Sequence, residues 1–162
     1  MLKSTLKSLS LQQATWAVFA ITLAVILGAW VFQFAGYEPC ELCLKQRWAY
    51  YAVVPLSAAL ALFAGNNPTL LRQGLILLGL VMLASCIFGI YHSGVEWKFW
   101  AGPTTCTGGG DAAFTSVLPD LSKPAVMCDQ PAIRILGLSL AGYNALISAF
   151  VSLFAFAKAK QA

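Results

Sequence analysis

Apolar residues fall into four unbroken stretches, at 14–34, 48–64, 74–91 and 135–157, separated by shorter polar segments. Each stretch is about 17 to 23 residues long, the length an α-helix needs to cross a hydrocarbon core roughly 30 Å thick. None contains a formally charged side chain. The pattern predicts an all-α membrane protein: a four-transmembrane-helix bundle forming a single integral membrane domain over residues 1–162. Two polar segments, about 35–47 and 92–134, fall on the same side and form two outward-facing loops that contain cysteines. Residues 1–13 form a polar lead. The stretch behind them is too long for a signal-peptide core and is followed by no A-x-A-like site, so it reads as a retained helix.

Local signals refine the boundaries. Pro39 disfavours helix at Glu38 and is itself compatible with a first helical turn, so the second helix begins near Cys40. Pro55 falls inside that helix, where neighbouring helices can accommodate it. Gly65-Asn66-Asn67-Pro68 is turn chemistry. The third helix closes around Tyr91-His92-Ser93-Gly94, and Trp97, Phe99 and Trp100 follow it as interface anchors. Further on, Gly108-Gly109-Gly110 permits wide backbone motion. Phe114, Val117, Leu118 and Leu121 have the spacing of a short helix lying on the membrane surface.

Composition strengthens this picture and narrows the function. Of 162 residues, 59% are hydrophobic and 10% charged, with a mean hydropathy of +0.76. A soluble domain carries about 25% charged residues. The net charge of +4 comes with no basic run, so nucleic acid is not an expected partner. Basic residues divide evenly across the predicted membrane. Lys3 and Lys7 before the first helix, against none between Phe34 and Cys43, favour cytoplasmic termini and exterior cysteine loops. That face is oxidising, where disulfides persist.

The chemistry concentrates in Cys40-Glu41-Leu42-Cys43 and in Cys106 and Cys128, two cysteine pairs on one face that suggest an electron relay. A thiolate at a helix N-terminus is stabilised by free backbone N–H groups and by the helix dipole. Arg47 shares the face of Cys43 one turn on, so Cys43 is expected to be the activated thiol. Arg47 alone reads as a snorkelling anchor and His92 alone as an interfacial hydrogen-bonder. Beside a low-pKa thiol, the two together could polarise the carbonyl oxygens of a quinone. Cys106 and Cys128 read equally as a fixed staple or as an exchangeable disulfide. Cys86, mid-helix among apolar neighbours, reads as a packing residue.

The run Pro39-Cys40-Glu41-Leu42-Cys43-Leu44-Lys45-Gln46-Arg47, with Tyr91-His92, the segment from Trp100 to Cys106, and Cys128, resembles the bacterial disulfide bond formation protein B family, DsbB. The resemblance spans roughly residues 14–157. It implies a protein dithiol:quinone oxidoreductase of the bacterial inner membrane that reoxidises a periplasmic, thioredoxin-like DsbA-type partner and passes the electrons to ubiquinone or menaquinone. It further implies that Cys106 receives the partner's attack, that Cys128 turns to Cys40, and that Cys43 contacts the quinone beside Arg47. A vitamin K epoxide reductase-like enzyme is a weaker match, because there the quinone-facing pair follows the loop pair. A non-enzymatic four-span protein with structural loop disulfides is the rival from another class. A zinc site of four thiolates suits an oxidising face least.

Overall fold

The computed structural model describes residues 9–65, 67–103, 106 and 127–161. Four long helices dominate: α1 (Leu11–Phe34), α2 (Glu41–Phe63), α3 (Pro68–Glu96) and α4 (Leu140–Lys160). A two-stranded antiparallel hairpin, β1 (Arg134–Ile135) and β2 (Leu138–Ser139), leads into α4. Each helix starts on a side chain that satisfies a free backbone donor. Ser10 and Gln13 form a reciprocal capping box on α1, Asn67 accepts from Leu70 N, and Ser139 accepts from Gly142 N. At α2 the capping group is a thiol, Cys40.

The first three apolar stretches mark helices that are longer than the stretches themselves. The first helix already begins at Leu11, inside the polar lead, and the third continues past Tyr91 to Glu96. The fourth boundary needs correction. The apolar run begins at residue 135, but helix begins only at Leu140. Leu136 and Gly137 have φ of 51° and 83°, left-handed values that suit a tight hairpin turn and interrupt a helix. The Tyr143 hydroxyl donates to Ile135 O at 3.1 Å and fastens the hairpin to α4. The triple glycine and the expected surface helix at 114–121 lie outside the described residues.

Side-chain placement is the reverse of a soluble protein's. Thr15, Thr22, Ser57, Ser85, Ser148 and Ser152 are buried, while Phe34, Phe63, Ile87, Phe150 and Leu153 are exposed. Buried hydroxyls find partners in the bundle: Thr22 donates to Val18 O at 2.8 Å and Ser152 to Gly79 O at 2.9 Å. Such an arrangement suits a lipid surround, where polar groups must be satisfied internally. Helices α1, α3 and α4 are long and apolar enough to cross a membrane. The protein is a multi-pass membrane protein. Helix α2 differs because Glu41, Lys45, Arg47 and Gln46 occupy its first two turns.

Small residues let α3 and α4 meet closely. A Cβ on Gly89 would lie 3.0 Å from Ala145 Cα and N, which are backbone atoms that cannot rotate away. Gly89→Val is therefore expected to push the two helices apart and cost about 1–3 kcal/mol. Thermal unfolding in detergent reads this, and an unchanged midpoint would show that the two faces do not meet there.

Candidate active site

The extended backbone at Cys40 (φ −70°, ψ 171°) ends the first connection and turns its side chain back over the start of α2, where Sγ accepts from Cys43 N at 3.2 Å. Helix α3 brings His92 to the same point. Its Nε2 lies 3.6 Å from Cys40 Sγ, and its Nδ1 lies 3.1 Å from Gln46 Nε2. With that amide donating, the ring hydrogen sits on Nε2 and faces the thiol. The Cys40, Cys43 and His92 heteroatoms all lie within 4.8 Å of one another. Both thiols are free.

The second loop folds back onto this point. Trp100 stacks on Tyr91 with ring centroids 6.2 Å apart and donates Nε1–H to Tyr91 O at 2.9 Å. Its indole lies against Gly94, where any Cβ would collide with it. Cys106 and Cys128 are joined by a disulfide with a Cα–Cα distance of 5.3 Å, and Cys128 N donates to Cys106 O. Lys98 pairs with Asp129 and holds the end of this segment to the start of the loop. The outcome is one buried cluster containing Cys40, Leu42, Val95, Cys106 and Cys128, with Cys43, Phe88 and Tyr91 packed against it. The four loop cysteines come together. Cys86 takes no part in this cluster and is a free, buried residue of α3; Cys86→Ala is expected to leave redox turnover unchanged in a thiol-oxidation assay.

The electrostatics distinguish the two thiols of the Cys-x-x-Cys pair. The Cys43 thiol donating to Cys40 lowers Cys40 to about 5 against the cost of burial; His92 and the Cys43 N–H add to this effect. The same thiol contact pushes Cys43 up, helped by burial and by the charge on Cys40. In the reduced pair these contacts favour the anion at Cys40, where the sequence pointed to Cys43. The helix-terminal N–H and the imidazole converge on the capping residue, whereas Cys43, one turn inside, has the Cys40 sulfur as its neighbour.

Cys43 faces elsewhere. It lines a cavity of about 410 Å³ between α1, α2 and α4, whose wall is mostly apolar. Polar side chains reach that wall at few points, among them Glu38, Gln46, Arg47, Tyr50 and Asn144. Arg47 is held by Gln33 Oε1 at 2.5 Å and by Ala29 O at 3.4 Å, both on α1. Tyr50 donates to Asn144 Oδ1 at 2.6 Å, and Ser148 joins them. Asn144 Nδ2 is buried without a partner among the described residues. Of the residues expected to meet a quinone, Cys43 and Arg47 line this cavity. His92 is fully buried behind Cys40 and does not line the cavity; it hydrogen-bonds to Gln46, which does.

Sequence reasoning missed Gln46, Asn144 and Glu96. Asn144 carries a legible signal, being the one amide within the last apolar stretch. Glu96 carries another, since it lies one helical turn beyond His92. Its Oε1 is 3.8 Å from His92 Nε2.

The family described as "Disulfide bond formation protein DsbB" matches residues 12–158. An uncharacterised protein of Rickettsia prowazekii, RP370, is 29% identical over 157 residues, covering 94% of this chain and 87% of that protein. Proteins named disulfide bond formation protein B from Azoarcus sp. and Albidiferax ferrireducens are 29% and 28% identical over 138 and 139 residues. Each covers 80% of this chain, and 81% and 76% of the respective relative. No solved structure matches the chain.

Proposed function

The chain belongs to the disulfide bond formation protein DsbB family, and from that premise we propose that it is a membrane thiol:quinone oxidoreductase which reoxidises a periplasmic DsbA-like dithiol protein. The observation that carries this reading is the order of groups across the site. The Cys106–Cys128 disulfide, Cys40, Cys43 and the apolar cavity adjoin one another in that sequence. The bundle spans the bacterial inner membrane four times, with both termini cytoplasmic and both cysteine loops periplasmic.

Each sulfur has a place in the exchange. The partner's thiolate attacks Cys106, and the resulting mixed disulfide is resolved as the partner leaves oxidised. Cys128 then attacks Cys40, releasing Cys43 beside Arg47. Cys106 attacks Cys128 in turn and releases Cys40, whose depressed pKa makes it a good leaving group. Electrons now rest on the Cys40–Cys43 pair while the loop disulfide is restored, the redox state described above.

The cavity fits a quinone head group. Its wall is largely apolar, Cys43 and Arg47 lie on one part of it, and Asn144 Nδ2 is a buried donor lacking an acceptor. A bound ubiquinone or menaquinone supplies an acceptor for two electrons and two protons. Arg47 stabilises the negative charge that develops on a carbonyl oxygen as Cys43 gives up its electrons.

The test is quinone reduction by purified protein, with a reduced thioredoxin-fold dithiol as donor. Turnover that depends on both substrates is expected. Arg47→Met should lower it about 100-fold, mainly through quinone use and not donor use. Unchanged kinetics across quinone concentrations would remove Arg47 from the proposed role.

A further inference from the structure

We propose that Glu96 takes up a proton when the Cys40–Cys43 pair is reduced and gives it up when the disulfide closes, acting through His92. The inference rests on the pair being redox-active, and it extends the proposed function to where the second proton is kept.

Glu96 is a carboxyl group buried to 7% exposure at the end of α3, and among the described residues its Oε2 has no hydrogen-bond partner. Oε1 lies 3.8 Å from His92 Nε2, the same nitrogen that faces Cys40 Sγ at 3.6 Å. A single ring atom thus stands between a thiol and a carboxyl. Among the described residues, the charged and titratable groups facing Glu96 from the surrounding elements are few. They are His92 on its own helix, Cys40 and Cys43 at the head of α2, and Arg134 on β1; the Ser139 hydroxyl on β2 hydrogen-bonds with it. Arg134 in turn lies over the Trp97 ring, with Cζ 5.2 Å from the centroid.

In the oxidised pair neither sulfur carries charge, and the carboxylate has the His92 ring nitrogen and the Arg134 charge near it. Reduction places a thiolate at Cys40. Two anions then share one buried cluster around one imidazole, an arrangement that favours protonating one of them. The thiolate keeps its helix N–H and imidazole donors, so the carboxylate takes the proton. The balance is complete: the disulfide, the Glu96 carboxylate, two electrons and two protons give the Cys40 thiolate, the Cys43 thiol and the Glu96 carboxylic acid. On reoxidation the Cys40–Cys43 bond forms, and the electron pair leaves for the quinone. The two protons, from Cys43 and from Glu96, leave with it.

Reduced-minus-oxidised infrared difference spectroscopy of the full-length protein tests this, with a small dithiol as reductant and no quinone present. Alkylation of the Cys40 and Cys43 thiols is measured in parallel. A protonated-carboxyl C=O band is expected to appear on reduction and to shift in protein labelled with carbon-13 glutamate. It should be absent in Glu96→Gln and should move in Ser139→Ala, which removes the hydroxyl partner. If the thiols appear with no such band, or if the band persists in Glu96→Gln or stays put in Ser139→Ala, the inference is overturned. If the Cys40–Cys43 pair cannot be reduced and reoxidised at all, the redox reading of the site fails first, and the alkylation result separates the two failures.

Discussion

Cys43→Ser is expected to leave the bundle folded and to lower dithiol-driven quinone reduction by on the order of 1,000-fold or more, to background. Loss of a covalent reactant removes the step itself, and the remaining binding groups cannot replace it. Folding should survive because the contact that caps α2 runs from the backbone N–H of residue 43 to Cys40 Sγ, and a serine keeps that N–H. The electrons should then stall one step earlier. With no Cys40–Cys43 disulfide to receive Cys128, the loop pair stays reduced once the donor has been oxidised, readable as alkylation of both Cys106 and Cys128. Normal circular dichroism with background turnover and those alkylated thiols is the expected combination. Near-wild-type turnover would detach Cys43 from the reaction.

The second large effect is on acidity. In protein whose Cys40–Cys43 pair is reduced, the ultraviolet absorbance of thiolate should rise as pH increases through about 5. An unperturbed thiol ionises near 8.5. The direction follows from the donors: the Cys43 thiol, His92 and the Cys43 N–H all favour the anion at Cys40. A group whose folded pKa is depressed lends stability in its charged form. For reduced protein that contribution is complete above the ordinary thiol value, shrinks as pH falls below it, and is gone once pH drops through about 5. Cys40→Ser should abolish the low-pH rise, and His92→Phe should move it upward. A titration unchanged by either substitution would place the thiolate elsewhere. Cys43, pushed up by its neighbour, contributes no thiolate in this range.

Much of this architecture could be read from the chain, because long apolar runs and capping residues act locally. The start of α2 at the Cys-x-x-Cys pair followed from Pro39 and from the need for a cap, and Cys40 fills it. The start of α4 did not follow. Hydropathy alone makes no distinction between a helix and the Ile135–Leu138 hairpin, whose left-handed turn at Leu136 and Gly137 is a backbone property. Which of two neighbouring thiols is activated depends on what a distant helix delivers. His92 and Glu96 reach Cys40 from α3, more than 50 residues along the chain. Arg47 was visible by its spacing from Cys43. The cavity itself became visible only once α1, α2 and α4 were packed together.

The central claim is that electrons from a protein dithiol leave through Cys43 to a quinone. The most direct measurement is anaerobic stoichiometry, counting donor dithiols oxidised and quinones reduced in the same reaction with purified protein. One quinone reduced for each donor disulfide formed, with both counts falling to background in Cys43→Ser, is the expected result. Donor oxidation without matching quinone reduction, or quinone reduction that proceeds without Cys43, would contradict the account.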